Sequence, residues 1–219
     1  MDFETVRAKL RTHGRAVPFR NGDLLCVAGD DSDEVLLIEA GSVKVVLPGQ
    51  NGVDSILGFY GPGDVLGEMG VLWDRQRSAS IVARTHGRAV HVDGARFLAL
   101  AAEDPEVLRF VTDLLRERLW RADKRLEYRA SMDVQARLAR VLLDLAREFG
   151  EPVGPGFGVR GVTQAELAQL VTASQKSIEH AVHLLRQDGV LITDRRYYQI
   201  VDADALERKL ADPGWRPGG

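Results

Sequence analysis

The sequence predicts an α+β protein in three successive stretches: a β jelly roll, one long helix and a winged helix-turn-helix. Three observations carry this. Between Ala16 and about Asp93, turn signals recur at roughly ten-residue spacing around short runs rich in Val, Ile and Leu, the pattern of a β-barrel or jelly roll. From Pro105 to about Met132, Leu108, Val111, Leu115, Leu119, Ala122 and Leu126 recur every three or four residues among Arg, Lys, Asp and Glu, which is an amphipathic helix. After Thr163, two helix starts are followed by two short apolar runs around Asp194-Arg195-Arg196, the order of a helix-turn-helix with a wing.

The barrel turns are Asn21-Gly22-Asp23, Gly29-Asp30-Asp31, Ala40-Gly41-Ser42, Pro48-Gly49-Gln50-Asn51-Gly52 and Gly61-Pro62-Gly63-Asp64. Between them, Glu34–Glu39, Val43–Leu47 and Ser80–Val92 read as strands. The long helix, roughly 27 residues and about 40 Å by the usual rise, exceeds what its own barrel needs. It is expected to pair with a second copy through its apolar stripe, against the alternative of packing within one chain. Ala122 is small and Arg118, Arg125 and Arg129 crowd the stripe, so a short seam is expected and not an ideal zipper. Asp133 reads as the N-cap of a further helix with Val134, Leu138, Val141, Leu142, Leu145 and Phe149 on its apolar face, ended by Gly150. Glu151–Gly161 reads as a loop or hairpin; its Gly154-Pro155-Gly156-Phe157-Gly158 lacks the Lys-Ser/Thr of a phosphate loop. Thr163-Gln164-Ala165-Glu166 is a capping box. Ser174 caps the next helix, which turns Ile178, Val182 and Leu185 inward and stops at Asp188-Gly189. Val190–Thr193 and Tyr197–Val201 form the wing, with Tyr197 and Tyr198 read as packing and not as base-stacking residues.

Composition bounds the function. The chain has 219 residues, 45% apolar and 28% charged, with net charge −3, so nucleic-acid binding must come from local basic clusters. Its single cysteine, Cys26, permits no internal disulfide and suits a reducing cytoplasm. Met1–Leu10 carries acids without an apolar core and is not expected to be a signal peptide. No apolar run reaches the ~18 residues of a membrane span. The Pro/Gly-rich end, 213–219, is expected to be flexible.

The most informative segment is Gly61–Ala83, GPGDVLGEMGVLWDRQRSASIVA. A cyclic phosphate on a ribose needs the parts it contains. Gly67 and Gly70 allow close backbone approach and present N–H groups to an anion. Arg77 can grip two phosphate oxygens, and the small hydroxyl of Ser78 can donate beside it. Glu68 can accept from a ribose 2′-OH. Read alone, Arg77 is an ordinary surface arginine; Gly67-Glu68 before it and Ser78-Ala79 behind it turn the reading toward phosphate. Arg75 reads as a solvated loop charge. Glu68 is also a candidate ion-pair partner for a long-helix arginine such as Arg118.

This segment resembles the phosphate-binding cassette of cyclic-nucleotide-binding domains, and the turns and strands from Gly22 to Val45 resemble the opening strands of that family. Nearly the whole chain resembles the Crp–Fnr transcription regulators. The anchors are Gly67-Glu68…Arg77-Ser78, Asp133-Val134…Arg137-Leu138-Ala139, Thr163-Gln164-Ala165-Glu166-Leu167-Ala168…Val171, Ser174…Ile178 and Asp188-Gly189-Val190-Leu191. The resemblance implies a cytoplasmic, allosteric DNA-binding regulator and not an enzyme. Residues 1–104 would bind the effector, 105–132 would dimerise and 133–212 would bind DNA, with a tail over 213–219. It implies a homodimer, duplex DNA and RNA polymerase as partners, and no obligatory cofactor. Cyclic AMP or cyclic GMP would be the effector.

Two departures stand out. The cyclic-AMP-responsive members of the family carry Thr and a second hydroxyl residue on the long helix, against the adenine. Here Ala122 and Asp123 stand there. Asp123 could accept from an exocyclic amine, so either a changed base preference or a nucleotide-blind barrel remains open. In the reading helix, Gln175, Lys176 and His180 replace the Arg-Glu and later Arg of many members. Gln can pair with adenine and Lys with guanine; Ser174, Ser177, Arg195 and Arg196 are expected on phosphates. The bland alternative for these residues is a solvated helix face and hairpin tip. Thr172 sits where the turn often has Gly. A jelly-roll metalloenzyme would call for a His/Glu cluster, and His86 and His91 offer no evident partner carboxylate.

Overall fold

The structure is a computed structural model that describes residues 3–49, 54–212 and 214–215. Gln50-Asn51-Gly52 of the fourth turn and, apart from Gly214 and Trp215, the tail expected over 213–219 lie outside the described residues. The chain forms two compact units that divide between Ala122 and Asp123, inside the long helix.

The first unit holds two four-stranded antiparallel sheets. One has the order β1 (Arg15–Phe19), β8 (Gly87–Asp93), β3 (Glu34–Ala40), β6 (Val65–Leu66). The other runs β2 (Leu24–Cys26), β7 (Ser80–Ala83), β4 (Val43–Leu47), β5 (Ser55–Tyr60). The single strand expected over Ser80–Val92 is broken at Arg84–His86, and its halves enter different sheets. Strand β3 explains why its sequence is apolar almost throughout. Alternate residues of a strand face opposite ways, and here both faces are covered. Leu36 and Ile38 pack with Val43, Ile81 and Ala83 between the sheets. Val35 and Leu37 pack outward, with Val6 and Leu10 of α1 (Phe3–His13) and Phe97 and Leu100 of α3 (Gly94–Glu103).

The long helix, α4, spans Pro105–Ser131. One expectation needs correction here. Val111 does not belong to the exposed stripe: with Val107 and Phe110 it is buried in the core of the first unit. Leu114 and Leu115 are partly buried against the same core. Leu108, Leu119 and Leu126 remain exposed.

In the second unit, α5 (Val134–Phe149) is capped by Asp133, whose carboxylate accepts from the Ala136 N–H at 2.8 Å. The expected loop at Glu151–Gly161 is a hairpin, β9 (Glu151–Val153) and β10 (Gly156–Arg160), and it joins the wing. The sheet order is β11 (Leu191–Asp194), β12 (Tyr197–Ile200), β10, β9. Tyr198 is buried, and the Tyr197 ring packs under the Arg160 guanidinium at 4.5 Å, so both tyrosines hold the wing together. Helix α8 (Ala203–Ala211) follows, and Glu207 on it pairs with Arg140 and Arg147 of α5. The hydrogen bond from Arg147 holds the Glu207 carboxyl below its ordinary pKa. No helix among the described residues is long and apolar enough to cross a membrane.

Thr172, at the turn between α6 (Gln164–Val171) and α7 (Gln175–Gln187), has φ 55° and ψ 62°. A β-branched residue in this left-handed region is strained by roughly 1–2 kcal/mol. Glycine removes that strain but gives back part of it as backbone entropy. Thr172→Gly is therefore expected to raise the melting midpoint of this unit by about 2–4 °C, read by calorimetry. A lower midpoint would show that contacts of the Thr side chain outweigh the strain.

Candidate functional site

The approach to the cassette is fixed by the Gly61–Asp64 turn. Asp64 Oδ2 accepts from the Gly61 N–H at 2.7 Å, and Gly63 takes φ 93°. Burial pushes the Asp64 carboxyl above its ordinary pKa, opposed by that N–H and by Arg118, Arg121 and Arg7. Strand β6 then delivers the chain to Gly67, at φ 84°, and to the short helix α2 (Glu68–Leu72).

Four of the six residues expected to bind effector converge there. Arg77, only 8% exposed, donates from Nη1 to the Gly67 carbonyl at 3.0 Å and from Nη2 to the Glu34 carbonyl at 2.6 Å. Its backbone is pinned on both sides: its N–H donates to Asp30 O at 2.8 Å and its carbonyl accepts from Gly29 at 2.9 Å. A guanidinium has five N–H donors, so these two carbonyls aim it and leave donors for an anion. A Cβ on Gly67 would lie 2.3 Å from Arg77 Nη1, and one on Gly70 would lie 1.9 Å from Ser32 Oγ. Packing alone therefore calls for glycine at both positions.

Glu68 is fully buried. Its Oε1 accepts from Arg118 Nη1, while Arg118 Nη2 donates to the Val65 carbonyl. The ion pair expected with the long helix is present. The other oxygen, Glu68 Oε2, is buried with no hydrogen-bond partner among the described residues. Buried polar atoms are nearly always paired. A ribose hydroxyl is a donor of the kind this oxygen lacks, so the residues fit a nucleotide. Ser78 follows Arg77 and is exposed; Asp123 is exposed in the second unit.

Sequence reasoning missed the part played by residues 29–34. Their contribution is largely backbone carbonyls and N–H groups, which leave no trace in residue type. It also missed that Glu34 is a carboxylate partner for His91, at 2.7 Å from Nδ1. Among the described residues, no three His, Cys, Asp or Glu side chains gather as a metal ion needs. Cys26 lies half-buried near Arg77; burial raises its pKa, and Arg77 opposes the rise.

In the second unit the capping box of α6 is complete, with Thr163 and Glu166 each bonding the other's backbone. Ser174 caps α7: its Oγ accepts from Ser177 N at 3.1 Å and pairs with Ser177 Oγ at 2.8 Å. Ile178, Ala181, Val182 and Leu185 bury one face. Gln175, Lys176 and His180 stand exposed on the other, and Gln175 Nε2 reaches Glu179 at 3.5 Å. Arg195 and Arg196 are exposed at the tip between β11 and β12, with Arg196 at φ 53° and its carbonyl tied to Gly161 N at 2.8 Å. An exposed helix N-terminus and a tip carrying two arginines are features that attract anions.

Known proteins share both units. Residues 16–104 match the cyclic nucleotide-binding domain family, and residues 136–209 match the Crp-like helix-turn-helix domain. The chain is similar to a CRP-like cAMP-activated global transcriptional regulator of Mycobacterium tuberculosis, at 30% identity over 203 residues, covering 92% of this chain and 91% of that protein. It is similar to the cyclic AMP receptor protein of Thermus thermophilus, at 29% over 189 residues, covering 86% and 85%. In fold it resembles the c-di-GMP-responsive global regulator CLP of Xanthomonas campestris, with TM-score 0.78, 24% identity and coverage of 91% and 99%.

Proposed function

This chain belongs to the Crp–Fnr family of transcription regulators, and from that premise we propose that its barrel binds a cyclic nucleotide, cyclic AMP or cyclic GMP, which controls how a homodimer engages DNA. The observation that carries the proposal is the pair formed around Gly67. A buried guanidinium is aimed by two carbonyls, and a buried carboxylate keeps one oxygen without a donor. Arg77 and Ser78 would take the cyclic phosphate, with N–H groups near Gly67 and Gly70. Glu68 Oε2 would accept from the ribose. Asp123 would meet the base from the long helix.

Residues 1–104 would then serve the effector, 105–132 the pairing of protomers, and 133–212 the DNA. Arg118 supplies a physical link between the first two, because the Glu68 that would hold the ribose is also its ion-pair partner on α4. A ligand that changes this pair biases the helix, provided the dimer has two arrangements of different ligand affinity. Titrating the protein with cyclic AMP, cyclic GMP and cyclic di-GMP in a calorimeter tests the effector. Relatives named for cAMP favour the first, and Asp123 in place of a hydroxyl favours a changed base. No heat with any of the three would favour a nucleotide-blind regulator.

The dimer would place one α7 in each of two successive major grooves, about 34 Å apart, and meet RNA polymerase in the cytoplasm. Gln175, Lys176 and His180 would face base edges; Ser174, Ser177, Arg195 and Arg196 would hold phosphates. Phosphate contacts set register and base contacts set sequence. Arg196→Ala is therefore expected to weaken binding to every sequence and flatten the salt dependence. Lys176→Ala should relax preference at one or two positions per half-site, by about 1–3 kcal/mol each. Binding-site selection with both variants decides this; a full wild-type preference in Lys176→Ala would put another face of α7 on the DNA.

A further inference from the structure

Between the C-terminal half of α7 and β11 lies an open groove of about 470 Å³, lined by His183, Arg186, Gln187, Leu191, Ile192 and Thr193. We infer that this groove seats the sugar–phosphate backbone of the same DNA duplex that α7 reads, with Arg186, His183 and Thr193 on a phosphodiester. The inference rests on the DNA-binding reading above and adds to it a contact site that reading does not contain.

Three features point there. The first is position. Lys176, His180, His183 and Gln187 follow one another at spacings of four, three and four, so they form one stripe along α7. The stripe starts at the proposed base-reading residues and runs into the groove. The opposite wall, Leu191–Thr193, leads directly to the tip that carries Arg195 and Arg196. A strand that touches both the helix and the tip must cross the space between them.

The second is charge. None of the six lining residues carries a carboxylate. Arg186 is a permanent cation whose planar fork suits two phosphate oxygens. The His183 ring keeps at least one N–H donor in every protonation state, and Thr193 adds a hydroxyl. The third is the apolar element. Ile192, 52% exposed on β11, gives the groove an apolar side. A deoxyribose, which has few polar atoms, suits it as a neighbour. An acidic protein segment would satisfy the cations but has no stated need of both the helix stripe and the tip.

The test measures DNA affinity of the full-length wild type, Arg186→Ala, Thr193→Val and Arg196→Ala. Each is run on a duplex taken from the selection experiment and on a scrambled duplex. Arg186 is exposed and Thr193→Val keeps the side-chain shape, so circular dichroism should report an intact fold. Arg186→Ala is expected to weaken both duplexes alike and to lower the salt slope by about 0.9 per groove, so the defect grows about 3.5-fold per contact between roughly 200 and 50 mM salt. Thr193→Val should give a smaller loss without a slope change. Ethylation interference should show one phosphate per half-site whose modification no longer matters in Arg186→Ala. Unchanged affinity, slope and interference in Arg186→Ala, with Arg196→Ala weakened, would overturn this inference alone. Unchanged DNA binding with reduced transcription in a purified system would also overturn it, assigning the groove to a protein partner. A wild type that binds neither duplex would remove the DNA-binding reading and this inference together.

Discussion

Arg77→Ala is expected to weaken cyclic-nucleotide binding by about 10- to 150-fold, the equivalent of about 1.5–3 kcal/mol for a charge-assisted hydrogen bond. The loss has two sources. The phosphate loses its fork, and the carbonyls of Gly67 and Glu34 lose the donor that each now receives. The Gly67 peptide then has no reason to keep its aim. Lysine at this position offers a point charge without the fixed fork, so Arg77→Lys should recover only part of the affinity. Ser78→Ala, at an exposed neighbour, should cost less than either. Calorimetric titration of the three variants beside wild type checks the order; equal affinity of wild type and Arg77→Ala would exclude the cassette as the anion site.

Replacing Leu119 and Leu126 together by Lys is expected to convert the dimer to monomers at micromolar concentration, seen by light scattering. These side chains are 64% and 63% exposed on the single chain. Leu108, Thr112, Leu115, Leu119, Ala122 and Leu126 are spaced four, three, four, three and four residues apart, the spacing of a two-helix seam. Covering the exposed part of each Leu yields about 1–2 kcal/mol, so four Leu in a pair of helices give about 4–8 kcal/mol before association entropy is subtracted. Lysine removes this and adds like charge across the seam. DNA affinity should fall with the dimer, because each protomer then binds a half-site by itself. A variant that stays dimeric would place the pairing surface elsewhere than on this stripe.

What could be read from sequence was local. Capping at Thr163–Glu166 and Ser174 depends on side chains reaching their own backbone within three residues, so residue type alone announces it. The jelly roll announced itself through turns. Helix α1 does carry Phe3, Val6 and Leu10 at helical spacing, but three apolar residues among eleven make a weak signal. Helix α2 is five residues long, too short for any period to show. In α4, Val111 and Leu115 fall on the same stripe as Leu108 and Leu119, yet the barrel core buries the first and partly covers the second, a choice made by tertiary packing. In the cassette, the side chains of Glu68 and Arg77 were legible, whereas the carbonyls that aim Arg77 come from the fold. Residue type likewise could not say that Thr172 takes the conformation suited to glycine, although its place in the turn did.

Strand β3 has a consequence for how the first unit comes apart. It lies between β8 and β6 in its sheet, and its two faces are shared by two hydrophobic clusters. Neither cluster can open without exposing residues that alternate with those of the other. The barrel and its covering helices should therefore unfold in one cooperative event and not in stages. The amide protons of Leu36, Leu37 and Ile38 should exchange with solvent deuterium only through that global event, at the slowest rate in the unit, while those of α2 exchange through small local openings.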